Sequence, residues 1–444
     1  MDARALTAER REAVWLDESV GSFDDFRTAV EQQTKTTDWP NAAEIVSNIP
    51  VYAGSTVRQM AETARDRLDL MAEWNTVFDS GPGIIAIKDG MPDTGAIDTA
   101  TEVFERIIAA EREAGSGGGD HFAKPGANDR FWNAAQKHCL AVPENFAAYY
   151  ASDGIAMAAR AWLGRGYQLT AQVNRVNPGG TAQTPHRDYH LGFMNADQLA
   201  TYPVQAHRFS PGLTLQGAVA HCDMPLETGP TMLLPYSQRF LEGYVAYHRP
   251  EFQNYFVEHH VQVPLEKGDL LFFNPAVMHG AGTNRSADIQ RMANLLQIGS
   301  AFGRSIESVD RSAMSVALYP VLQGSTLAER EISNVVSASA EGYAFPTNLD
   351  RDPPVGGLIP LSHAELMENA LRDGRSAEIA AKHFFSGRGG VGAAGLRHQL
   401  SVRHGRLDEL GCDSGRAGRH ERRALDRPGR RGAAVAGGRP GAQN

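Results

Sequence analysis

The decapeptide TPHRDYHLGF at residues 184–193 places His186, Asp188 and His190 at alternate positions. In an extended strand, side chains at i, i+2 and i+4 leave the same face, so an imidazole and a carboxylate two residues apart can grip one cation. A charged surface strand or coincidence would give the same spelling, since the chain has 15 histidines. The chain also carries a competitor: AHCDMP sets His221 and Asp223 at the same spacing. The dipeptide pattern alone does not choose between them.

Context comes from GDLLFFNPAVMHGAGTNRSADIQRMANLLQ at residues 268–297. A Gly-Asp turn opens a buried strand that delivers His279 at its end, and Arg291 opens the next apolar strand. Two histidines and one carboxylate on one face of a metal, with open positions opposite, form the facial ligand set of non-haem Fe(II) oxygenases. Three protein ligands leave room for a bidentate 2-oxo acid and dioxygen. The second carboxylate of such an acid would be buried, and an unpaired buried anion is costly. A bidentate arginine is the natural partner. Arg291 fits that need better than Arg285, whose TNRS setting reads as a solvated turn.

These residues need a scaffold. With 444 residues, 42% hydrophobic and 21% charged, the chain has the composition of a soluble globular protein with a substantial core. The first residues mix acids and bases without an apolar run, so neither a signal peptide nor a membrane span is expected and the cytoplasm is the default location. Cys139, Cys222 and Cys412 are scattered, which reads as buried thiols rather than a disulfide or zinc framework. A net charge of -9 argues against nucleic-acid binding by the folded core.

Residues 1–79 read as a helical N-terminal collar. Residues 80–305 read as the β core, with short strands expected in YQLTAQVNRV, LTLQGAVAH, TMLLP, HHVQVPL, DLLFFNPAVMH and RMANLLQIG, separated by Gly and Pro turns. A short strand is also expected at 84–87. The Gly-rich loop GSGGGDHFAKPGANDRFW is expected to cover a pocket, with Lys124 in it more readily solvated than bound to an anion. Residues 306–386 return to helical spacing, including the capping box Ser362 and Glu365 in a helix stopped by Gly374. Residues 387–444 hold 12 Arg and no Lys, aromatic, Ile, Met or Thr. That segment reads as a disordered Arg/Gly/Ala-rich tail, with a shifted reading frame favoured over a nucleic-acid-binding arm.

The conjunction of HRD at 186–188, ETGPTMLLPYSQ at 227–238, KGDLLFFNPAVMHGAG at 267–282 and Arg291 resembles the phytanoyl-CoA dioxygenase (PhyH) family of Fe(II)/2-oxoglutarate-dependent oxygenases. The resemblance covers roughly residues 80–305. It implies a double-stranded β-helix, a cupin-like jelly roll, wrapped by N- and C-terminal helices. It also implies His186, Asp188 and His279 as metal ligands, Arg291 as the 2-oxoglutarate clamp, and Fe(II), 2-oxoglutarate and O2 as cofactor and cosubstrates, with ascorbate as an accessory reductant. His221 and Asp223 then belong to a core strand and line the pocket or support the fold. The family's Pro-Gly-Ser-His turn reads Pro235-Tyr236-Ser237-Gln238 here. Relatives that halogenate carry a small residue where Asp188 stands, so oxygenation is favoured.

Three polar positions take auxiliary readings. His190 shares the ligand face and is expected to support the ligands or meet substrate. Gln172 and Asn174 project to one face of their strand, where they can hydrogen-bond 2-oxoglutarate or substrate, or form a plain sheet face. The expected reaction is hydroxylation or other oxidation of a C–H bond of a small organic metabolite, with release of succinate and CO2. The alternatives are a non-catalytic protein that binds metal and 2-oxoglutarate, and a cupin-like metal-dependent lyase or isomerase. Neither the substrate nor the oligomeric state is legible.

Overall fold

A computed structural model describes residues 3–114, 128–188, 190–350, 353–354 and 356–380. Lys124, most of the Gly-rich loop and the whole Arg-rich tail lie outside these residues.

Among the described residues, ten strands form two sheets. In chain order they are β1 (Glu44–Val46), β2 (Ile49–Ala53), β3 (Ile84–Lys88), β4 (Asn128–Phe131), β5 (Gln168–Val176), β6 (Thr214–Ala220), β7 (Thr231–Leu234), β8 (Leu270–Phe273), β9 (Met278–Ala281) and β10 (Arg291–Gly299). The large sheet runs β1-β2-β3-β8-β6-β10-β5-β4, and β7 pairs with β9 in a small one. All pairings are antiparallel except β2 with β3.

The alternation of β6 and β10 explains the layering. Leu215 and Val219 of β6, with Met292, Leu296 and Ile298 of β10, face a helical layer and join its apolar core. That layer includes Ala64–Asp79, Thr94–Glu113, Pro143–Tyr150, Asp153–Leu163, Arg311–Gln323 and Glu329–Ser339. The intervening residues face the other way, toward the small sheet, where Ile84, Leu233, Leu271, Phe273 and Val277 make a second, smaller core. The region between the two sheets is lined from both sides and holds polar side chains of β5, β6 and β10.

The expected jelly roll is realised as two facing sheets, and no closed barrel forms among the described residues. The reason lies in the small sheet, where only β7 and β9 form a ladder. Its neighbours contribute single bridges, His186 to His279 and Val261 to Leu233, so HHVQVPL supplies bridging residues rather than a strand. Met224 and Leu265 add one more bridge. The stretch expected as one strand ending at His279 is two, β8 and β9, broken at Asn274-Pro275.

The N-terminal region is not purely helical. Residues 44–53 fold as the β1–β2 hairpin, with Ser47 and Asn48 at φ 50° and 69°. Two consecutive positive-φ residues between paired strands make a type I′ turn, whose twist suits a tight hairpin. This hairpin extends the large sheet beside β3, so part of the expected collar belongs to the sheet. At the other end, the helix His363–Arg372 has the expected capping box, with Ser362 Oγ accepting from the Glu365 amide and Glu365 accepting from the Ser362 amide.

Candidate metal centre

The His186–Asp188 segment crosses the end of the small sheet and is stitched to β9. The His186 amide donates to the His279 carbonyl at 2.9 Å and the His279 amide returns the bond at 3.0 Å. The Asp188 amide donates to the Pro275 carbonyl at 3.0 Å. Between the two ligands, Arg187 turns the opposite way and is fully buried, donating to the Ser237 carbonyl at 2.7 Å and stacking on Tyr244. The turn that departs from the family spelling therefore anchors the ligand loop. Ser237 Oγ also accepts from the Met278 amide at 2.8 Å, fixing the start of β9. Tyr236 sits at φ 68°, where glycine is favoured, and its hydroxyl pairs with Thr34 Oγ1 at 2.7 Å.

The result is a cluster of three ligand groups. One ligand atom from each of His186, Asp188 and His279 lies within 4.8 Å of the others, and Asp188 Oδ2 is 3.7 Å from both Nε2 atoms. Each imidazole has Nδ1 2.8 Å from a carbonyl two residues back, Thr184 for His186 and Val277 for His279. A carbonyl only accepts, so Nδ1 carries the proton and Nε2 presents its lone pair to the cluster. This outer bond fixes tautomer and ring angle, as in most histidine metal sites.

The electrostatics agree. Burial and the neighbouring His186 hold His279 below its ordinary range, with Asp188 pulling the other way. Burial would raise Asp188, but the two histidines outweigh it and keep the carboxyl well below the usual range. Asp188 Oδ2 also accepts from Gln216 Nε2 at 2.9 Å. The state that stands near neutral pH is an ionised Asp188 beside a neutral His279, the protonation a divalent metal requires.

A cavity opens from this cluster between the sheets, lined among others by Arg291, Asn174, Arg130, Gln216 and Gln297. Arg291 is buried, with Nη1 donating to the Thr228 carbonyl at 3.1 Å. No carboxylate among the described residues pairs with it, and burial pushes it down to about 10. A guanidinium so placed calls for an anionic ligand. The donor set and this arginine therefore fit Fe(II) with a dicarboxylate such as 2-oxoglutarate.

Other expected residues fall variously. Asn174 lines the cavity. Gln172, two residues earlier on the same face, is buried and accepts a hydrogen bond from Arg130 Nη2. Arg285 is exposed. His190 is not among the clustered ligands: its ring is bonded to the Arg304 carbonyl at 2.8 Å and Thr214 Oγ1 at 3.2 Å. His221 faces the helices, not the cavity. Its ring is bonded to Thr101 Oγ1 and Tyr149 OH, each at 2.8 Å, because it follows Ala220 and so takes the opposite side of the sheet. Asp223 accepts from the Lys267 amide at 3.0 Å. The competing His-x-Asp pair is thus structural.

Two cavity residues were not singled out from the sequence. Gln216 is an amide at an inward position of the apolar strand LTLQGAVA, a buried polar group that must find a partner. Arg130 lies in the stretch expected as the end of the Gly-rich loop, which instead folds as β4 from Asn128 to Phe131, and opposite Asn174 in the β4–β5 register it faces the same cavity.

Residues 80–293 match the family model of phytanoyl-CoA dioxygenase (PhyH). No curated protein matches the chain. Similar solved structures include SnoN, a non-heme alpha ketoglutarate dependent epimerase from nogalamycin biosynthesis, at 18% identity over 53% of this chain and 84% of that one, with a TM-score of 0.35. HygX from Streptomyces hygroscopicus, with nickel and 2-oxoglutarate bound, is 16% identical over 56% and 91%, with a TM-score of 0.36. SnoK, a carbocyclase from nogalamycin biosynthesis, is 20% identical over 53% and 86%, with a TM-score of 0.35. By this match and the His-Asp-His cluster inside it, residues 80–293 are a phytanoyl-CoA dioxygenase-family region, and the chain is an Fe(II)- and 2-oxoglutarate-dependent enzyme.

Proposed function

We propose that this enzyme inserts oxygen at a C–H bond of a small organic metabolite: substrate, O2 and 2-oxoglutarate give hydroxylated product, succinate and CO2. The observation that carries this reading is the convergence of His186, Asp188, His279 and the carboxylate-free Arg291 on one buried cavity.

When bound, Fe(II) supplies oxygen activation coupled to decarboxylation of 2-oxoglutarate. His186 and His279 would hold it through Nε2, and Asp188 through a carboxylate oxygen steadied by Gln216. Arg291 would bind the far carboxylate of 2-oxoglutarate, and Asn174 lies on the same wall to hydrogen-bond it. Phe273 and Leu295 keep that wall apolar, which excludes water and strengthens every charge interaction inside. The carboxylate at position 188 favours oxygenation over halogenation.

Anaerobic titration with Fe(II) and then 2-oxoglutarate tests the site through the visible charge-transfer band of a chelated 2-oxo acid. The band is expected in wild type and His221→Ala and absent in His186→Ala. A band lost only in His221→Ala, or absent from wild type, would sink the assignment. A product heavier than substrate by one oxygen, formed with equimolar succinate, identifies hydroxylation.

A further inference from the structure

The cavity wall formed by β5, β10 and β6 is a ladder of inward-facing rungs. Arg291 stands at one end. Then come Asn174 with Ala293 and Ala220, Gln172 with Leu295 and Ala218, and Thr170 with Gln297 and Gln216. A five-carbon diacid that spans from Arg291 to a metal held by Asp188 engages its donors at those two points and leaves the amide oxygens of the last rung, Gln216 and Gln297, to the substrate.

That rung has a specific deficit. Gln216 must turn its NH2 toward Asp188, because an ionised carboxylate only accepts. Its Oε1 is thereby aimed away from Asp188, buried and without a protein partner among the described residues. Gln297, directly opposite in the β6–β10 register, also has a buried, unpartnered Oε1. Both residues are more than nine-tenths buried and line the cavity. The flanking side chains do not help: Phe273 is apolar, and Thr170 Oγ1 already donates to the Gln297 carbonyl. Cross-strand partners have Cβ atoms about 5 Å apart, so the two oxygens can accept from neighbouring donors on one small ring. A buried acceptor left unpaired is costly.

We propose that this end of the cavity binds a polyhydroxylated or amino-hydroxylated ring, such as a sugar or cyclitol unit, whose neighbouring O–H or N–H groups donate to Gln216 Oε1 and Gln297 Oε1. The inference rests on the oxygenase reading above and names its substrate class. Through Gln216 the same ring is one amide away from Asp188, which sets the oxidised carbon close to the metal ligands.

Saturation-transfer NMR on protein loaded with Zn(II) and 2-oxoglutarate tests the proposal without turnover, since Zn(II) has no redox chemistry. The probes are methyl hexopyranosides, glucosamine and myo-inositol, with cyclohexanol as the control. At least one polyol is expected to receive saturation at carbons bearing neighbouring donors. Glycosides against glucosamine separate hydroxyl from amino donors. Gln297→Met, equal in length but without the acceptor, should weaken that polyol roughly 10- to 100-fold, and Gln297→Glu, which keeps an acceptor oxygen, should restore it. Thermal melting establishes that both variants are folded. Saturation of cyclohexanol alone, of no probe except 2-oxoglutarate, or of the polyols equally in wild type and Gln297→Met overturns the proposal while leaving the oxygenase reading standing. Absence of saturation on 2-oxoglutarate itself overturns both.

Discussion

His186 and His279 hold each other by their main chains, exchanging amide-to-carbonyl bonds of 2.9 and 3.0 Å while their rings lie 4.5 Å apart. Ligands from segments far apart in sequence are thus brought together by backbone pairing that needs no metal. Truncating either imidazole leaves the bridge intact. His186→Ala and His279→Ala are therefore expected to melt close to wild type by circular dichroism while losing Fe(II) affinity by more than the roughly 100-fold that loss of an outer hydrogen-bond partner can cost. Cooperative unfolding of His186→Ala at much lower temperature would show that the ring, not the bridge, holds the loop.

Arg291 offers a test with opposite signs in two states. With no carboxylate paired to it, its guanidinium does not earn its burial in the ligand-free protein. Arg291→Met should leave that form within about 1 kcal/mol of wild type or raise its stability. With 2-oxoglutarate the variant should lose about 2–5 kcal/mol of binding. Thermal shifts with Mn(II) and graded 2-oxoglutarate check both, because a ligand that binds only the folded state raises its melting point by mass action.

Histidines behind the sheet predict acid sensitivity. Burial holds His221 down to about 3 and His138 down to about 4, against an unfolded value near 6.5. Both are neutral when folded and take up protons on unfolding below that pH. Their contribution is complete above about pH 6.5 and is lost as pH falls toward the folded values, at about 1.4 kcal/mol per pH unit for each. Urea unfolding at pH 7, 6 and 5 should show this decline, and His221→Gln should flatten it by about that amount per unit. An unchanged slope would mean that the His221 ring is charged or solvated in the fold.

Gly229, at φ 67°, opens the strand that faces β9. A Cβ there would lie 2.4 Å from the Thr283 carbonyl oxygen and 2.5 Å from the Gly282 carbonyl carbon, both backbone atoms. Gly229→Ala is expected to destabilise the protein by about 3 kcal/mol or more. Because the preceding carbonyl, Thr228, anchors Arg291, 2-oxoglutarate binding should weaken alongside. Isothermal titration and denaturant melts on the same samples separate the two losses.

Much of the site was legible because strand alternation is strict. His186, Asp188 and His279 followed from spacing and context, and Arg291 from the charge a dicarboxylate requires. The choice between the two His-x-Asp pairs needed the order of strands around the Gly-Pro turn, which the family pattern supplied. Gln216 was not legible: its partner Asp188 lies on another segment across the cavity, and an isolated amide in an apolar strand does not say what it faces. The β1–β2 hairpin escaped for a local reason, since Ser-Asn is a weaker I′ turn signal than Asn-Gly. The open barrel was hidden because single bridges leave no ladder for periodicity to reveal.

The pairing of β6 with β10 has a further consequence. Side-chain direction alternates with every residue, so a slip of one position exchanges the two faces of a strand. A shifted β6 would swing His221 into the cavity and turn Gln216 away from Asp188 into the helical layer. Seven consecutive cross-strand partners, from Thr214 opposite Gly299 to Ala220 opposite Ala293, hold the native parity. The chain carries two spellings of the same metal-binding word, and the odd-even count of one strand keeps the second insulated from the metal.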